Sequence, residues 1–214
     1  MTSDDDVPTV GRAEDDELPR VVALHLAQLP FPSNVLSCLG DRVVRCAYRW
    51  FASDPRAALL VARRGDSVVG FTSLAAGSYL TSLVRRCPGA LTLGLLTRPG
   101  VLAHREVRER VAALLPRGSR ASASEERWAQ VAFTVVAPEA RGEGVAARLK
   151  AAGAAVARTW GVDGLVTGVR RDNAASRRMN ERAGFVADES AGSSSTVVYR
   201  YRFPSTSETD AGRR

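Results

Sequence analysis

Apolar residues recur along this chain with two periods, and where one gives way to the other the order of its elements can be read. Residues 7–13 read as a short strand. Residues 15–28 read as a helix, because the first turn is acidic, Pro19 suits a helix start, and Leu18, Val22 and Leu26 fall on one face. Ser33 is placed to cap a second helix running to about Phe51, with Val35, Leu39, Val43, Cys46 and Trp50 at helical spacing, until Asp54-Pro55 ends it. Residues 57–63 and 67–75 are β-rich runs on either side of Arg64-Gly65-Asp66, the pattern of a hairpin.

The long segment 76–127 carries two helical patterns instead of a further strand. One covers residues 79–96 and is interrupted at Cys87-Pro88-Gly89; the other covers 101–115, with Val107, Val111, Leu114 and Leu115 on one side. Beyond it come a strand at about 129–136, a helix opened by Gly144, a strand at 164–169, a helix from Asn173, and a last strand within 196–203. Residues 1–6 and 204–214 are polar without periodicity and are expected to be disordered. At 214 residues and 45% hydrophobic content the chain is long enough for one domain with a substantial core, which sets the expectation of a single domain over 7–203 with 76–127 as a helical insert.

The most informative stretch is VAFTVVAPEARGEGVAARL, residues 131–149, where a β-rich run breaks into a glycine-containing loop that opens a helix. The first amides of a helix have no intrahelical partner and the macrodipole adds partial positive charge, so Gly142, Glu143, Gly144, Val145 and Ala146 form a ready anion site, with Arg141 as countercharge. Gly142, Gly144 and Ala147 also spell the dinucleotide fingerprint, with Asp163 near the spacing of a ribose-binding acid. That match is weak, because Pro138 and residues 139–141 stand between the strand and the first glycine. No G-K-[ST] follows, which excludes a P-loop. A plain strand-to-helix connection is the bland alternative.

Two motifs in order decide between these readings. Arg141, two residues, Gly144, one residue, Ala146, after the lead-in V-x-P-E-x-R-G at 136–142, is similar to the pyrophosphate loop of the GNAT acetyltransferase superfamily. Downstream, NAASRRMNERAGF at 173–185 resembles that superfamily's second signature, in which an Asn follows the fifth strand and a Gly-Phe pair closes the next helix. Asn173 also reads as a helix N-cap and Gly184 as a left-handed helix end.

The resemblance implies a mixed α/β fold, a mostly antiparallel central sheet with one splayed parallel strand pair, flanked by helices. It implies acetyl-CoA, or another short acyl-CoA, as co-substrate and no metal. The fourth and fifth strands would part near Val136, with the thioester carbonyl near the amides of Thr134, Val135 and Val136, the pyrophosphate on Arg141 to Ala146, and the pantetheine near Asn173 and Ser176. Two positions depart from the family's common pattern. Gln130 stands where many members have a Glu to accept the amine's proton, and Asn180 where many have a Tyr to protonate the leaving thiolate. An amide does neither. Glu125 and Glu126 just before the fourth strand, His25 on the first helix, and Tyr199 or Tyr201 on the last strand are candidate substitute bases; His25, Phe31 and Tyr79 are also candidates for the acceptor pocket, His25 having the bland reading of a satisfied core histidine.

Three functions follow from the resemblance: acetylation of a small-molecule primary amine by direct attack in a ternary complex, acetylation of a protein or peptide amine, or acyl-CoA binding by a degenerate domain serving as sensor or scaffold. The net charge of +7 comes from 29 arginines and the lone Lys150; the arginines are dispersed in pairs without interleaved aromatics, which argues against a nucleic-acid partner. No apolar run approaches a membrane span. Cys38, Cys46 and Cys87 have no metal spacing, and their odd number without a signal peptide is the pattern of packing residues in a reducing cytoplasm. If Cys38 and Cys46 share one helix, roughly 12 Å separates them and no disulfide joins them. The insert is expected to act as a lid or as the contact of a homodimer.

Overall fold

Strand pairing gathers the β-rich runs into one seven-stranded sheet, in the spatial order β1-β2-β3-β4-β5-β7-β6. The strands are β1 (Thr9–Arg12), β2 (Ala57–Arg64), β3 (Ser67–Ala76), β4 (Trp128–Val136), β5 (Gly164–Arg170), β6 (Val186–Asp188) and β7 (Thr196–Arg202). Every neighbouring pair is antiparallel except β4 and β5. The computed structural model describes residues 7–30, 34–103, 108 and 127–204. The expectations for residues 1–6, for the tail from 205, for Phe31, for Glu125 and Glu126, and for most of the 101–115 pattern lie outside these residues.

Helices cover both faces. On one lie α1 (Leu18–Gln28), α2 (Val35–Leu39), α3 (Asp41–Ser53), α4 (Tyr79–Arg86) and α5 (Pro88–Thr97), around a core that includes Val21, Val43, Tyr48, Phe51, Leu59 and Phe71. On the other, α6 (Val145–Arg158) packs with Leu74, Val131, Leu165, Val169, Phe185 and Tyr199, and α7 (Ala174–Arg182) precedes Phe185. Among the described residues no helix is long and apolar enough to cross a membrane.

Two expectations are corrected here. The single helix foreseen to Phe51 is two: α2 ends at Gly40, whose φ of +100° suits glycine alone, and α3 starts afresh beyond it. Asn34 caps α2, its Oδ1 accepting the amides of Leu36 at 2.9 Å and Ser37 at 3.4 Å. The cysteines are not all packing residues either, because Cys46 of α3 is disulfide-bonded to Cys87, where α4 turns into α5. Pro88 starts a new helix, and the turn before it brings Cys87 to a Cα separation of 6.1 Å from Cys46, well within bonding range. Cys38 keeps its thiol, buried.

The insert is therefore fastened at more than one point. Gly94 of α5 lies so close to α2 that a Cβ there would stand 2.6 Å from the Leu39 carbonyl oxygen. Gly70 serves the opposite face in the same way: a Cβ would meet the Val135 carbonyl oxygen at 2.9 Å and Val145 Cγ1 at 3.3 Å, so its absence seats the start of α6 against β3 and β4.

Candidate active site: parted strands above a glycine loop

β4 and β5 pair only at Trp128–Gly164, Ala129–Leu165 and Gln130–Val166. They part beyond that, six residues before the expected point at Val136. The cause lies in the register of β4 against β3: Ser73 faces Phe133 while Leu74 faces Val131, so Ala132 is an extra, bulged residue that turns the rest of β4 away from β5. At the base of the opening the Thr167 hydroxyl donates to the Val131 carbonyl at 3.1 Å.

Alternation decides which amides face the gap. The amide of Ala137 donates to Val69 on β3 at 2.9 Å, so the amide of Val135 points the same way, and those of Thr134 and Val136 point to the gap. The Thr134 hydroxyl is held by Thr72 at 3.0 Å. Of the three residues expected to offer amides, two are thus oriented to do so.

Beyond β4 the chain makes a 3-10 turn (Pro138–Ala140) and enters the loop, where Gly142 and Gly144 have φ of +89° and +79°. An added Cβ at either would meet nothing within 4 Å, so both are required for the turn and leave the space above it open. The first intrahelical bond of α6 runs from the Arg148 amide to the Gly144 carbonyl at 3.1 Å, which leaves the amides of Val145, Ala146 and Ala147 directed outward. Arg141 is exposed beside them, its guanidinium held by Gln28 Oε1 at 2.5 Å. Glu143 brings a carboxylate into the loop, and an ion pair with Arg64 offsets it.

Across the gap, Asn173 caps α7, its Oδ1 accepting the Ser176 amide at 3.0 Å. Asn180 is 1% exposed; its Nδ2 donates to the Ser176 carbonyl at 2.8 Å and its Oδ1 accepts from the Lys150 ammonium. α7 ends as the sequence indicates, with Gly184 at φ +80° and the Phe185 amide returning to the Asn180 carbonyl at 3.0 Å. Gln130, the last paired residue of β4, is occupied by the insert, its Oε1 accepting the Tyr79 amide at 3.2 Å.

Two residues expected in the acceptor pocket lie in the core instead. His25 is wholly buried, with Tyr48 at 2.6 Å on Nδ1 and Ser37 at 3.1 Å on Nε2. The Ser37 hydroxyl donates to the Leu29 carbonyl at 2.5 Å, so it accepts from Nε2–H, and Nδ1 accepts from the Tyr48 hydroxyl. Burial pushes the His25 pKa down to about 4 and keeps the ring neutral. Tyr79 is 5% exposed, packed against Phe51 and Phe133. Tyr199 is fully buried too, its hydroxyl donating to Glu181 at 2.8 Å and accepting from Arg177 at 3.2 Å.

Gln28, Arg64 and the burial of Lys150 carry no motif in the sequence and are placed at the site only by the fold. For Lys150 a signal existed, a single lysine directly after Leu149 on an otherwise apolar helix stripe.

The chemistry of this arrangement is that of a diphosphate followed by an extended amide chain. Outward amides, open space over two left-handed glycines and an exposed arginine suit the first; a strand gap with inward-facing amides suits the second. The profile of the Acetyltransferase (GNAT) family matches residues 21–185, and the chain belongs to that family. It is an acyl-CoA-dependent N-acetyltransferase, and the loop and gap fit acetyl-CoA. Similar solved structures include yncA from Salmonella typhimurium with its cofactor acetyl-CoA, at 13% identity and TM-score 0.59 over 93% of this chain and 95% of that one. The GNAT domain of S. lividans PAT has 17% identity and TM-score 0.59, over 92% and 90%. The ribosomal-protein-alanine N-acetyltransferase of Brucella melitensis has 17% identity and TM-score 0.56, over 91% and 99%. At these identities the likeness is one of fold. A comparison with curated proteins finds no match.

Proposed function

We propose that this protein moves the acetyl group of acetyl-CoA to a primary amine of a small molecule, by direct attack within a ternary complex. The observation that carries the reading is the opening between β4 and β5 from Val131 onward, which leads to the outward amides of α6. In this reading Arg141, Gly142, Glu143, Gly144, Val145 and Ala146 hold the diphosphate, Asn173 and Ser176 border the pantetheine, and the amides of Thr134 and Val136 face the thioester carbonyl. When bound, acetyl-CoA supplies the activated acyl group. The two gap-facing donors would stabilise negative charge developing on the carbonyl oxygen. An alkyl ammonium, with a pKa near about 10, must first lose a proton. Gln130 does not accept it; Glu126, two residues before β4, is the carboxylate assigned to that step.

A small acceptor is favoured over a peptide because the insert is fastened beside the site. The Cys46–Cys87 bond and the Gln130–Tyr79 hydrogen bond hold α4 in place, which restricts the approach to β4. Self-association is assigned to the insert as well, since Leu93 and Leu96 of α5 are 37% and 74% exposed. The reading implies the cytoplasm, where acetyl-CoA is supplied and where reduction of the Cys46–Cys87 bond would leave α4 held by its packing and by the Gln130–Tyr79 hydrogen bond. The test is amine-dependent release of CoA thiol across a panel of small amines and peptides. Release with small amines only is the expected result. Release confined to peptides replaces the acceptor assignment, and tight CoA binding without release from any acceptor selects the sensor reading.

A further inference from the structure

Lys150 is the only lysine among 30 basic residues, and among the described residues it is the only lysine or arginine in the buried interior, 5% exposed. It belongs to α6, which follows β4, and its Nζ donates to Asn180 of α7, which follows β5. The bridge thus joins the two helices that flank the parted strands. Nζ also stands 4.3 Å from the centroid of the Phe185 ring. Among the described residues no carboxylate pairs with it. An ammonium has three protons to donate, and here one is used.

A buried cation without a counterion is unfavourable unless an anion arrives to meet it. The depth of the bridge indicates which anion. Lys150 is the sixth residue of α6 and Asn180 the seventh of α7, about 9 and 10 Å along helices whose N-termini follow the open ends of β4 and β5. The Phe185 ring beside Nζ belongs to the buried layer that also contains Val131, Leu165 and Val169, residues of the two strands that part. A chain anchored by its diphosphate at Gly144 and extended along the gap would run toward this layer.

We propose that Lys150 is the countercharge and proton donor for the CoA sulfur as the thioester is cleaved. The assignment rests on the acetyl-transfer reading above. The amine nitrogen bonds to the carbonyl carbon and gives up a proton to water or a carboxylate; the C–S bond breaks with its electron pair on sulfur; the sulfur takes a proton from Lys150 Nζ, which recovers one from water. Asn180 orients the ammonium and does not relay its proton. Burial lowers the Lys150 pKa to about 8, near the roughly 8.5 of a thiol, so the transfer is closely balanced. Elsewhere on this side of the sheet, Glu181, Arg177 and Tyr199 are bonded to one another, and the shift at Lys150 has burial as its only cause.

The test uses CoA alone as the probe. The thiolate absorbance of bound CoA is titrated with the wild-type protein, Lys150→Met and Lys150→Arg, alongside calorimetry with acetyl-CoA and far-UV circular dichroism to verify the fold. Both variants are expected to bind acetyl-CoA within about threefold of wild type. The bound thiol should titrate below about 8.5 in wild type and in Lys150→Arg, and near 8.5 in Lys150→Met. In amine-dependent turnover Lys150→Arg should fall by about 10² or more, because a guanidinium keeps its proton. Identical thiol titration in wild type and Lys150→Met overturns the assignment while leaving acetyl transfer in place. Failure of the wild-type protein to bind CoA removes both.

Discussion

The side-chain carbonyl of Gln130 accepts the backbone amide of Tyr79 at 3.2 Å, so the last residue of β4 paired to β5 is also the anchor for the first residue of α4. A glutamate there would keep the anchor, since a carboxylate accepts the same amide more strongly, and would add a proton acceptor where an amide has none. Gln130→Glu is expected to melt within about 1 kcal/mol of wild type and to raise kcat tenfold or more with a small amine. Gln130→Met should lower stability by about 1 kcal/mol without raising kcat. Steady-state kinetics and thermal melts of both variants check this; an unchanged kcat in Gln130→Glu would show that the position does not reach the amine.

Gly144 has a φ of +79° with open space where a side chain would project. Aspartate there would adopt a left-handed backbone at a cost of about 1 kcal/mol or more, and would place a negative charge among the amides that face the diphosphate. Gly144→Asp should weaken acetyl-CoA binding at least a hundredfold by calorimetry while leaving the fold intact by circular dichroism. Unchanged affinity would remove the anion site from the mechanism.

What the sequence reveals here is local, and what it conceals is pairing at a distance. The glycine loop, the cap at Asn173 and the left-handed end at Gly184 each depend on a few neighbouring residues, so their geometry is written where they stand. The early parting of β4 from β5 depends on Ala132 bulging against β3, a matter of register that no single strand displays. Cys46 and Cys87 are 41 residues apart and meet only because α4 packs on α3. His25 was half legible: it lies three and four residues after Val22 and Val21 on the buried stripe of α1, the position of a core residue, and its partners Ser37 and Tyr48 come from later helices.

The Cys46–Cys87 bond closes 41 residues of chain and joins the insert to α3. On the chain-entropy account a loop of that length is worth up to about 4 kcal/mol, most of it through the unfolded state. Reduction, or Cys87→Ser, should lower stability by about 2–4 kcal/mol, and reductant should have no further effect on Cys87→Ser. Denaturant titration with and without reductant measures this. Equal stability of the oxidised and reduced protein would show that α4 is held by its packing alone.

His25 makes stability depend on acid. Its folded pKa is lowered to about 4 by burial, against about 6.5 unfolded, so between those values the unfolded chain binds more protons than the folded one. The stabilisation is complete above about pH 6.5 and is lost as pH falls to about 4, where Tyr48 and Ser37 would have to share a charged ring. The shift corresponds to about 3 kcal/mol over that window. His25→Gln removes the titration but keeps polar atoms near both partners. It should be less stable than wild type at pH 7, yet show a flatter loss of stability between pH 6.5 and 4 in urea titrations. An equally steep loss in the variant would place the acid sensitivity in other groups and leave the His25 ring able to charge inside the core.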